Sequence, residues 1–468
     1  MDSHKRRPAD DGDRLSELPD CLLLDILSRV GSRLAVQTSA LSRRWRHLWR
    51  DVPCADVDER DFSSSGGGGE FFDSFEYSGV SQEQRQRCSR FEDFADHVLS
   101  PSTSPLSQHR RLDAFRLRIE SRCAYAITDR WVRRGLARSP AAVAIHGPYG
   151  SAVRWISPPP SSSSSLARLT KLHLVGVTIM PGAFVSPGQG HLLGCPALED
   201  LHMERCYAYG FHAISSPTLR RLAVVCTRTG GRVAGADLPR LECLRLDLVC
   251  DGQPASAPQE NQPPLPSLVE ASIRVTELDY QIVRNKRAMK KNRLEFFKST
   301  CGLLARFPNV VSLDLSGFTT TALLEEESQE FPMLNHLRAL RLDGCELGFN
   351  FHALTSILRN TPNLETLRLH RCKFLGLTPK RKTPSKRRGS TTTTLQCNNL
   401  KLIEIKSLQD DAPQILRLLS EDSKGMPMAR WRRVDRVSDV AGLVTAQLHR
   451  TEKGTTMVQS YFQLFNFE

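Results

Sequence analysis

A short apolar pattern recurs along most of the chain and constrains its fold more than any other feature. An apolar residue is followed by two variable residues, a second apolar residue, one variable residue and a third apolar residue. Copies begin at Leu112, Leu169, Leu198, Leu219, Leu241, Leu268, Val310, Leu337, Leu364 and Leu400, and a degraded copy surrounds Val143 and Ile145. No single copy can bury its leucines alone, so neighbouring copies must stack and share one core.

The spacing of the copies is that of leucine-rich repeats, whose units are about 20–29 residues long. Cys206, Cys345 and Cys372 each lie three residues beyond the last apolar position. Leucine-rich repeats place an asparagine or a cysteine there to turn the chain inward. Scattered copies in an ordinary α/β protein are the alternative, which so many copies in one register disfavour. We therefore predict an α/β leucine-rich-repeat solenoid, a curved horseshoe, over residues 89–408.

The segment from Asp13 to Arg50 packs large apolar residues into a stretch too short to bury them. Leu18 and Pro19 open it, and apolar residues follow at helical spacing. It ends in LSRRWRHLW, residues 41–49, whose two tryptophans lie on one helical face. About forty residues cannot enclose all these side chains, so part of the surface should be an interface. A small helical cap on the next domain is the alternative from periodicity alone.

The leucine-proline start followed by LSRRWRHLW resembles an F-box of the plant type, and F-boxes of plants often precede leucine-rich repeats. This resemblance to the plant F-box/leucine-rich-repeat family implies three short helices that dock on the Skp adaptor of a cullin-based SCF ubiquitin ligase. The residues that it implies for the docking and supporting surface are Leu18, Pro19, Leu22, Leu23, Ile26, Leu27, Leu41, Trp45, Leu48 and Trp49.

Two positions depart from the family pattern. Gly31 stands where the family usually has proline, and Leu34 stands where it usually has an acidic residue. Ser32 is able to cap the second helix instead. We therefore expect a slightly weaker second helix within an intact F-box.

The domain organisation predicted from these patterns is α+β. The F-box spans residues 13–55, a flexible acidic, Ser/Gly-rich linker or loop spans 56–88, and a helix carrying Phe91, Phe94 and Val98 caps the first repeat. Residues 409–468 form a C-terminal cap of uncertain type. Within them, VTAQLH and MVQSYFQLF alternate as terminal strands do.

The net charge of +13 is concentrated in two insertions, near residues 279–300 and 376–395. Seven basic residues and one acid lie between Arg284 and Lys298, and a second cluster without any acid consists of Lys380, Arg381, Lys382, Lys386, Arg387 and Arg388. The second cluster resembles a nuclear-import signal, with a solvated disordered insertion as the alternative. The second cluster has no interleaved aromatic residues, so direct nucleic-acid binding is disfavoured.

Several functional classes are excluded by what the sequence lacks. The thirteen cysteines form no CxxC pair, so we predict free thiols and no metal. No Walker loop, G-x-S-x-G or HExxH occurs, and we predict a non-catalytic chain without cofactors. No apolar run approaches a signal peptide or a membrane span, so we expect a protein of the nucleus and/or cytoplasm with no membrane partner.

Variable residues beside the buried leucines should line the concave face, where such repeats bind partners. The candidates for substrate binding are His173, His202, Glu204, Arg245, Asp314, Arg341, Arg368 and His370. We predict the substrate-recognition subunit of an SCF ligase, with an unknown protein target. A scaffold that binds the Skp adaptor without ubiquitination, a basic nuclear scaffold that binds nucleic acid, and a small-molecule co-receptor stay open as alternatives.

Overall fold

The structure is a computed structural model that divides into two units. It describes residues 18–63, 82–100, 111–121, 123–148, 153–155, 166–180, 194–208, 214–225, 237–250, 263–277, 291, 295–296, 299–300, 302–318, 331–349, 352–375, 399–407, 444–450 and 456–458. The first unit is Met1–Met180 with Gly194–Leu198, and the second is Pro181–Leu193 with Glu199–Glu468.

The first unit begins with three short helices. They are α1 Asp20–Arg29, α2 Ser32–Gln37 and α3 Trp45–Leu48, with 3-10 turns at Thr38–Ala40 and Trp49–Asp51. Pro19 precedes α1, and its carbonyl oxygen accepts the N–H groups of Leu22 and Leu23 at 3.0 and 3.2 Å. Asp20 lies in the first turn, where its carboxylate complements the helix dipole. The three helices expected from the F-box resemblance are therefore present.

A parallel sheet follows in the first unit. Its strands are β1 Cys54–Asp58, β2 Ala114–Arg118, β3 Ala142–His146 and β5 Lys171–Val175, paired in that order. The short strands β4 Arg154–Trp155 and β6 Thr178–Ile179 pair separately. The helices α4 Gln82–Val98 and α5 Tyr125–Ala137 complete the unit, and they are held together through Phe91 and Trp131, whose rings are 5.4 Å apart.

The second unit is a longer parallel sheet. Its parallel strands, in order of pairing, are β7 Asp200–Glu204, β9 Arg221–Val225, β10 Cys243–Cys250, β11 Glu270–Glu277, β12 Ser312–Ser316, β13 Ala339–Asp343, β15 Thr366–His370 and β17 Leu402–Ser407. Two antiparallel strands, β18 Val444–Arg450 and β19 Thr456–Val458, extend it. The remaining elements are β8 Tyr207–Ala208, β14 Glu346–Phe349, α6 His352–Arg359 and β16 Lys373–Leu375.

Every copy of the repeated apolar pattern contributes a strand. The second and third apolar residues of each copy lie on the strand, and neighbouring copies align them in register, as Leu313, Leu340 and Leu367 show. These three side chains are no more than 1% exposed. Because each copy adds one strand and one layer of leucines to a shared core, the sheet-rich α/β repeat region predicted from the sequence is confirmed.

In the described part of the chain, five repeats turn after the strand through a residue with positive φ. This residue is Gly176, Arg205, Gly317, Gly344 or Arg371, with φ between 49° and 71°. In three of these repeats the next residue is the cysteine predicted to turn inward, and Cys206, Cys345 and Cys372 are all buried. The Sγ atoms of Cys345 and Cys372 lie 3.5 and 3.4 Å from the carbonyl oxygens of Leu315 and Leu342, one repeat earlier, so these two cysteines also link successive turns.

The structure differs from the sequence prediction at both ends of the proposed 56–88 linker. Residues 54–58 are strand β1, whose Asp56 and Asp58 face Arg116 and Arg118 in register. The capping helix begins at residue 82 and buries Phe91 and Ala95 completely. The sequence prediction missed β1 because the alternation of CADVD is short and many serines and glycines follow it. Residues 64–81 lie outside the described part of the chain.

The two basic insertions fall largely outside the described residues. All six residues of the import candidate, from Lys380 to Arg388, lie outside them. The end of the first insertion is described, and it is packed into the repeats. Phe296 is 2% exposed, and its carbonyl oxygen accepts the hydroxyl of the fully buried Thr300 at 2.8 Å.

Candidate partner-binding surfaces

Four of the residues assigned to the Skp-docking and supporting surface form the core of the helical segment. Leu23, Leu27, Trp45 and Leu48 are between 0 and 7% exposed, and they pack with Ala35 and Val52. Leu18 and Trp49 are partly buried against this core. These six side chains therefore form the core of the segment or pack against it.

The remaining members of the set lie on the surface. Leu22, Ile26 and Leu41 are 49, 40 and 70% exposed, and Pro19 is exposed as well. Leu22 and Ile26 are four residues apart on α1, so their side chains are neighbours on one helical face.

Two exposed apolar residues were missed by the motif comparison. Val30 is 39% exposed and continues the line of Leu22 and Ile26, again four residues on. Leu34, on α2, is 55% exposed. We call Leu22, Ile26, Val30, Leu34 and Leu41 the apolar patch. The spacing of Val30 was readable from the sequence, whereas the exposure of Leu34 needed the fold.

The second helix begins differently from the expectation. Gly31 precedes α2 at φ 77°, and within the described residues no side-chain hydrogen bond caps that end. The Ser32 hydroxyl instead accepts the backbone N–H of Asp56 at 2.8 Å. The prediction that Ser32 caps α2 was wrong because its hydroxyl joins the helical segment to strand β1.

In the first unit, the candidate substrate residue His173 lies on β5. Its ring contacts that of His146 on β3, with ring centroids 5.0 Å apart. Neighbouring strands carry ion pairs on the same rows of the sheet, Asp56 with Arg116 at 3.3 Å and Asp58 with Arg118 at 3.5 Å. This strand face is therefore polar and carries both signs of charge.

In the second unit, most candidate residues belong to ion pairs between or along strands. His202 lies 3.6 Å from Glu204 on β7, and Arg341 bridges Asp314 at 3.6 Å and Asp343 at 3.1 Å. Sequence reasoning named these candidates separately, and the register brings them together.

The end of this face carries a denser network. Arg368 and His370 both reach Glu404, at 3.2 and 3.5 Å, and Arg371 reaches Asp343 at 2.7 Å. Glu404 and Asp343 are nearly buried. Glu404 was not named among the candidates, and only the pairing of β15 with β17 identifies it.

One candidate stands apart from these pairs. Arg245 on β10 is exposed, and its in-register neighbours are Ala223 on β9 and Ser272 on β11. No carboxylate in the described residues lies within salt-bridge distance of its guanidinium group, whereas Arg221 and Arg274 on the flanking strands contact Asp200 and Asp247 at 2.9 and 3.9 Å.

The described cysteines are free thiols. Burial raises the pKa of the Cys195 thiol to about 12 and that of Cys123 to about 11. Such thiols carry almost no thiolate near neutral pH and are poor nucleophiles.

A helical segment with an exposed apolar patch, followed by parallel-strand repeats, defines an adaptor-type F-box protein. Residues 15–55 match the F-box domain. The chain is 41% identical over 433 residues to the rice "MEIOTIC F-BOX protein MOF", covering 90% of this chain and 85% of that protein. It is also 25% identical over 396 residues to the Arabidopsis "F-box/LRR-repeat protein 13", covering 78% of each. The chain belongs to the plant F-box family that includes the F-box/LRR-repeat proteins.

Membership of this family supports an SCF adaptor-type role, and an F-box domain indicates interaction with a Skp-type adaptor. F-box proteins are generally non-catalytic substrate adaptors. Across the residues that the structure describes, no helix combines the length and the apolar character needed to cross a membrane.

Proposed function

We propose that this chain is the substrate-recognition subunit of an SCF ubiquitin ligase. The F-box binds a Skp adaptor, which connects it to a cullin, and the repeats bind a target protein for ubiquitination. The observation that carries the proposal is the apolar patch. Among the described residues, the exposed large apolar side chains are Leu22, Ile26, Val30, Leu34, Leu41, Val269 and Met333, so five of the seven lie within the F-box.

An exposed apolar patch on a small, well-packed segment favours a protein partner. Fully burying one leucine-sized side chain contributes roughly 1.5–3 kcal/mol. Covering several neighbouring side chains therefore supplies a strong driving force for association, and leaving them in water favours aggregation. The core beneath the patch is buried, so the patch is presented on a preformed surface.

The strand faces supply the second binding surface. Polar and charged residues lie side by side along them, and parallel-strand repeats of this kind present such faces to protein partners. The chain contributes no chemistry of its own in this mechanism. It holds the target near a bound ubiquitin-conjugating enzyme and so raises the effective concentration of the target at that enzyme.

Co-purification with a Skp adaptor tests the first half of the proposal. The variant Leu22→Ala, Ile26→Ala, Leu41→Ala changes only exposed side chains and should abolish co-purification while leaving the fold intact. The matched control is Val269→Ala, Met333→Ala, which removes exposed apolar side chains from the second unit. Retention of the Skp adaptor by the F-box variant would reject the patch as the docking surface.

Turnover of captured targets tests the second half. Proteins that co-purify with the chain should become longer-lived when it is depleted, and the patch variant should fail to restore their turnover. A partner with unchanged half-life would instead indicate a scaffold that binds the Skp adaptor without ubiquitination.

We also propose action in the nucleus, the cytoplasm or both, based on the basic cluster from Lys380 to Arg388. A fluorescent fusion should lose nuclear signal when the six basic residues are replaced by glutamine. An unchanged distribution would remove the import assignment. Salt-insensitive or absent binding of nucleic acid by the same protein would exclude the nucleic-acid scaffold.

A further inference from the structure

We propose that Arg245 is a recognition point for an acidic side chain of the target protein, which rests on the proposed function of the repeats. Arg245 belongs to a row of residues that crosses the strands of the second unit. In register this row is His202, Ala223, Arg245, Ser272, Asp314, Arg341, Arg368 and Glu404.

The other described arginines on this strand face of the second unit form ion pairs with carboxylates. Arg221, Arg274, Arg341 and Arg368 each lie 2.9 to 3.9 Å from an aspartate or glutamate. Arg245 has the same position in its repeat as Arg341 and Arg368, yet no described carboxylate neutralises it. Its guanidinium group carries five N–H donors.

The neighbours of Arg245 leave it accessible. Ala223 and Ser272 flank it directly at adjacent strands, and both side chains are small. Larger residues at those places would cover the guanidinium group on either side. The residues beside the guanidinium group on the two neighbouring strands therefore carry only a methyl group and a hydroxymethyl group.

The charge and the geometry of the Arg245 guanidinium group select an acidic partner. A carboxylate from a target segment rich in Asp and Glu pairs with Arg245 through two parallel hydrogen bonds, the geometry that guanidinium groups favour. Glu270, two residues before Ser272 on β11, repels a second carboxylate of the target. Arg245 therefore accepts one acidic side chain.

A peptide titration tests this assignment on the full chain bound to its Skp adaptor. The probe is a labelled glutamate-rich peptide, and its glutamine counterpart is the uncharged comparison, both measured by fluorescence anisotropy at about 150 mM salt. We expect the glutamate peptide to bind and the glutamine peptide to bind far more weakly. Arg245→Ala should weaken binding of the glutamate peptide about five- to tenfold.

Arg221→Ala is the matched control, because Arg221 is an exposed arginine on the flanking strand β9 but is paired with Asp200 at 2.9 Å. It should leave the peptide affinity nearly unchanged. Equal affinities of Arg245→Ala and wild type for the glutamate peptide would overturn the assignment. Binding of that peptide would then be attributed to the basic insertions. Failure of the wild type to bind the glutamate peptide would overturn it as well. Retention of the Skp adaptor in the same samples separates either outcome from failure of the proposed function.

Discussion

Arg44 joins the end of the F-box to its beginning through an ion pair with Asp20, whose Oδ1 lies 2.6 Å from the Arg44 Nη2. The Nε of Arg44 donates to the same oxygen at 2.9 Å, and the Nη2 also contacts the carbonyl oxygen of Leu18. One side chain from the LSRRWRHLW stretch thereby holds the leucine-proline start against α3. The two sequence motifs that identify the F-box are therefore physically coupled.

Arg44→Ala should loosen the start of α1. The pair is partly exposed, so its loss costs only about 0.5–1 kcal/mol. Amide hydrogen exchange in α1 should become about two- to fivefold faster, because local opening is more frequent. Arg43→Ala is the control, since Arg43 is exposed and forms no ion pair with any residue that the structure describes. Equal exchange in both variants would show that the Arg44 contacts do not hold α1.

Asp96 organises the packing of α4 against α5. It accepts hydrogen bonds from Arg130 at 2.5 Å, from Arg134 at 2.9 Å and from the indole N–H of Trp131 at 3.1 Å. Trp131 is fully buried, so Asp96→Ala leaves its N–H without this acceptor. We expect a loss of about 1–3 kcal/mol, measured by chemical unfolding of the first unit within the full chain.

Asp129→Ala provides the comparison for Asp96. Asp129 pairs with Arg133 four residues later on the same helix, and that arginine is 73% exposed. Its removal should cost no more than about 0.5 kcal/mol. A similar loss in the two variants would mean that the buried indole does not depend on Asp96.

The elements that the sequence predicted well are those with local signals. The apolar residues of each repeat recur at fixed spacing, so strands such as β12 and β13 were readable without the fold. The cysteines that turn inward were readable for the same reason. Strand β1 was missed because its alternation is only five residues long and adjoins a serine- and glycine-rich stretch.

The contacts that the sequence could not reveal join residues far apart in the chain. Glu59 is fully buried, and its carboxylate accepts the backbone N–H groups of Glu120 and Ser121 at 2.7 and 2.9 Å. A lone glutamate after a strand carries no local sign of this role. Likewise, only the packing shows which residues assigned to the Skp-docking and supporting surface lie in the core and which are exposed. Helical spacing alone places Leu22 and Leu23 on adjoining faces.

Gly317 should be the more sensitive of two equivalent turn glycines. Gly317 and Gly344 follow successive strands at φ 71° and 62°, so an alanine at either is strained by about 1–2 kcal/mol. A Cβ at Gly317 would also lie 2.1 Å from the Val275 carbonyl oxygen, whereas a Cβ at Gly344 would meet nothing within 4 Å. The backbone cannot move aside as a flexible side chain can.

Chemical unfolding of Gly317→Ala and Gly344→Ala measures this difference directly. We expect Gly317→Ala to lose about 1–3 kcal/mol more than Gly344→Ala, because only the former adds a clash to the strain. Identical losses would show that the close approach to β11 relaxes at no cost.

Alkaline pH should destabilise the first unit through its buried thiols. Burial raises the pKa of Cys195 from its usual value of 9.0 to about 12. The unfolded chain therefore releases the thiol proton at a lower pH than the folded chain, and folding retains it. The contribution of this thiol to stability is complete below about pH 9 and declines as the pH rises toward 12.

Thermal unfolding between about pH 8 and 11 measures this contribution, with Cys195→Ala as the comparison. Lysines and tyrosines also titrate in this range, so the decisive quantity is the difference between the two proteins. The melting temperature of the wild type should fall more steeply with pH than that of Cys195→Ala, which has no thiol to ionise there. Cys21→Ala is the control, because Cys21 is exposed and should leave the slope unchanged. Parallel curves for wild type and Cys195→Ala would contradict the assignment, since an ionising buried thiol must change the pH dependence of unfolding.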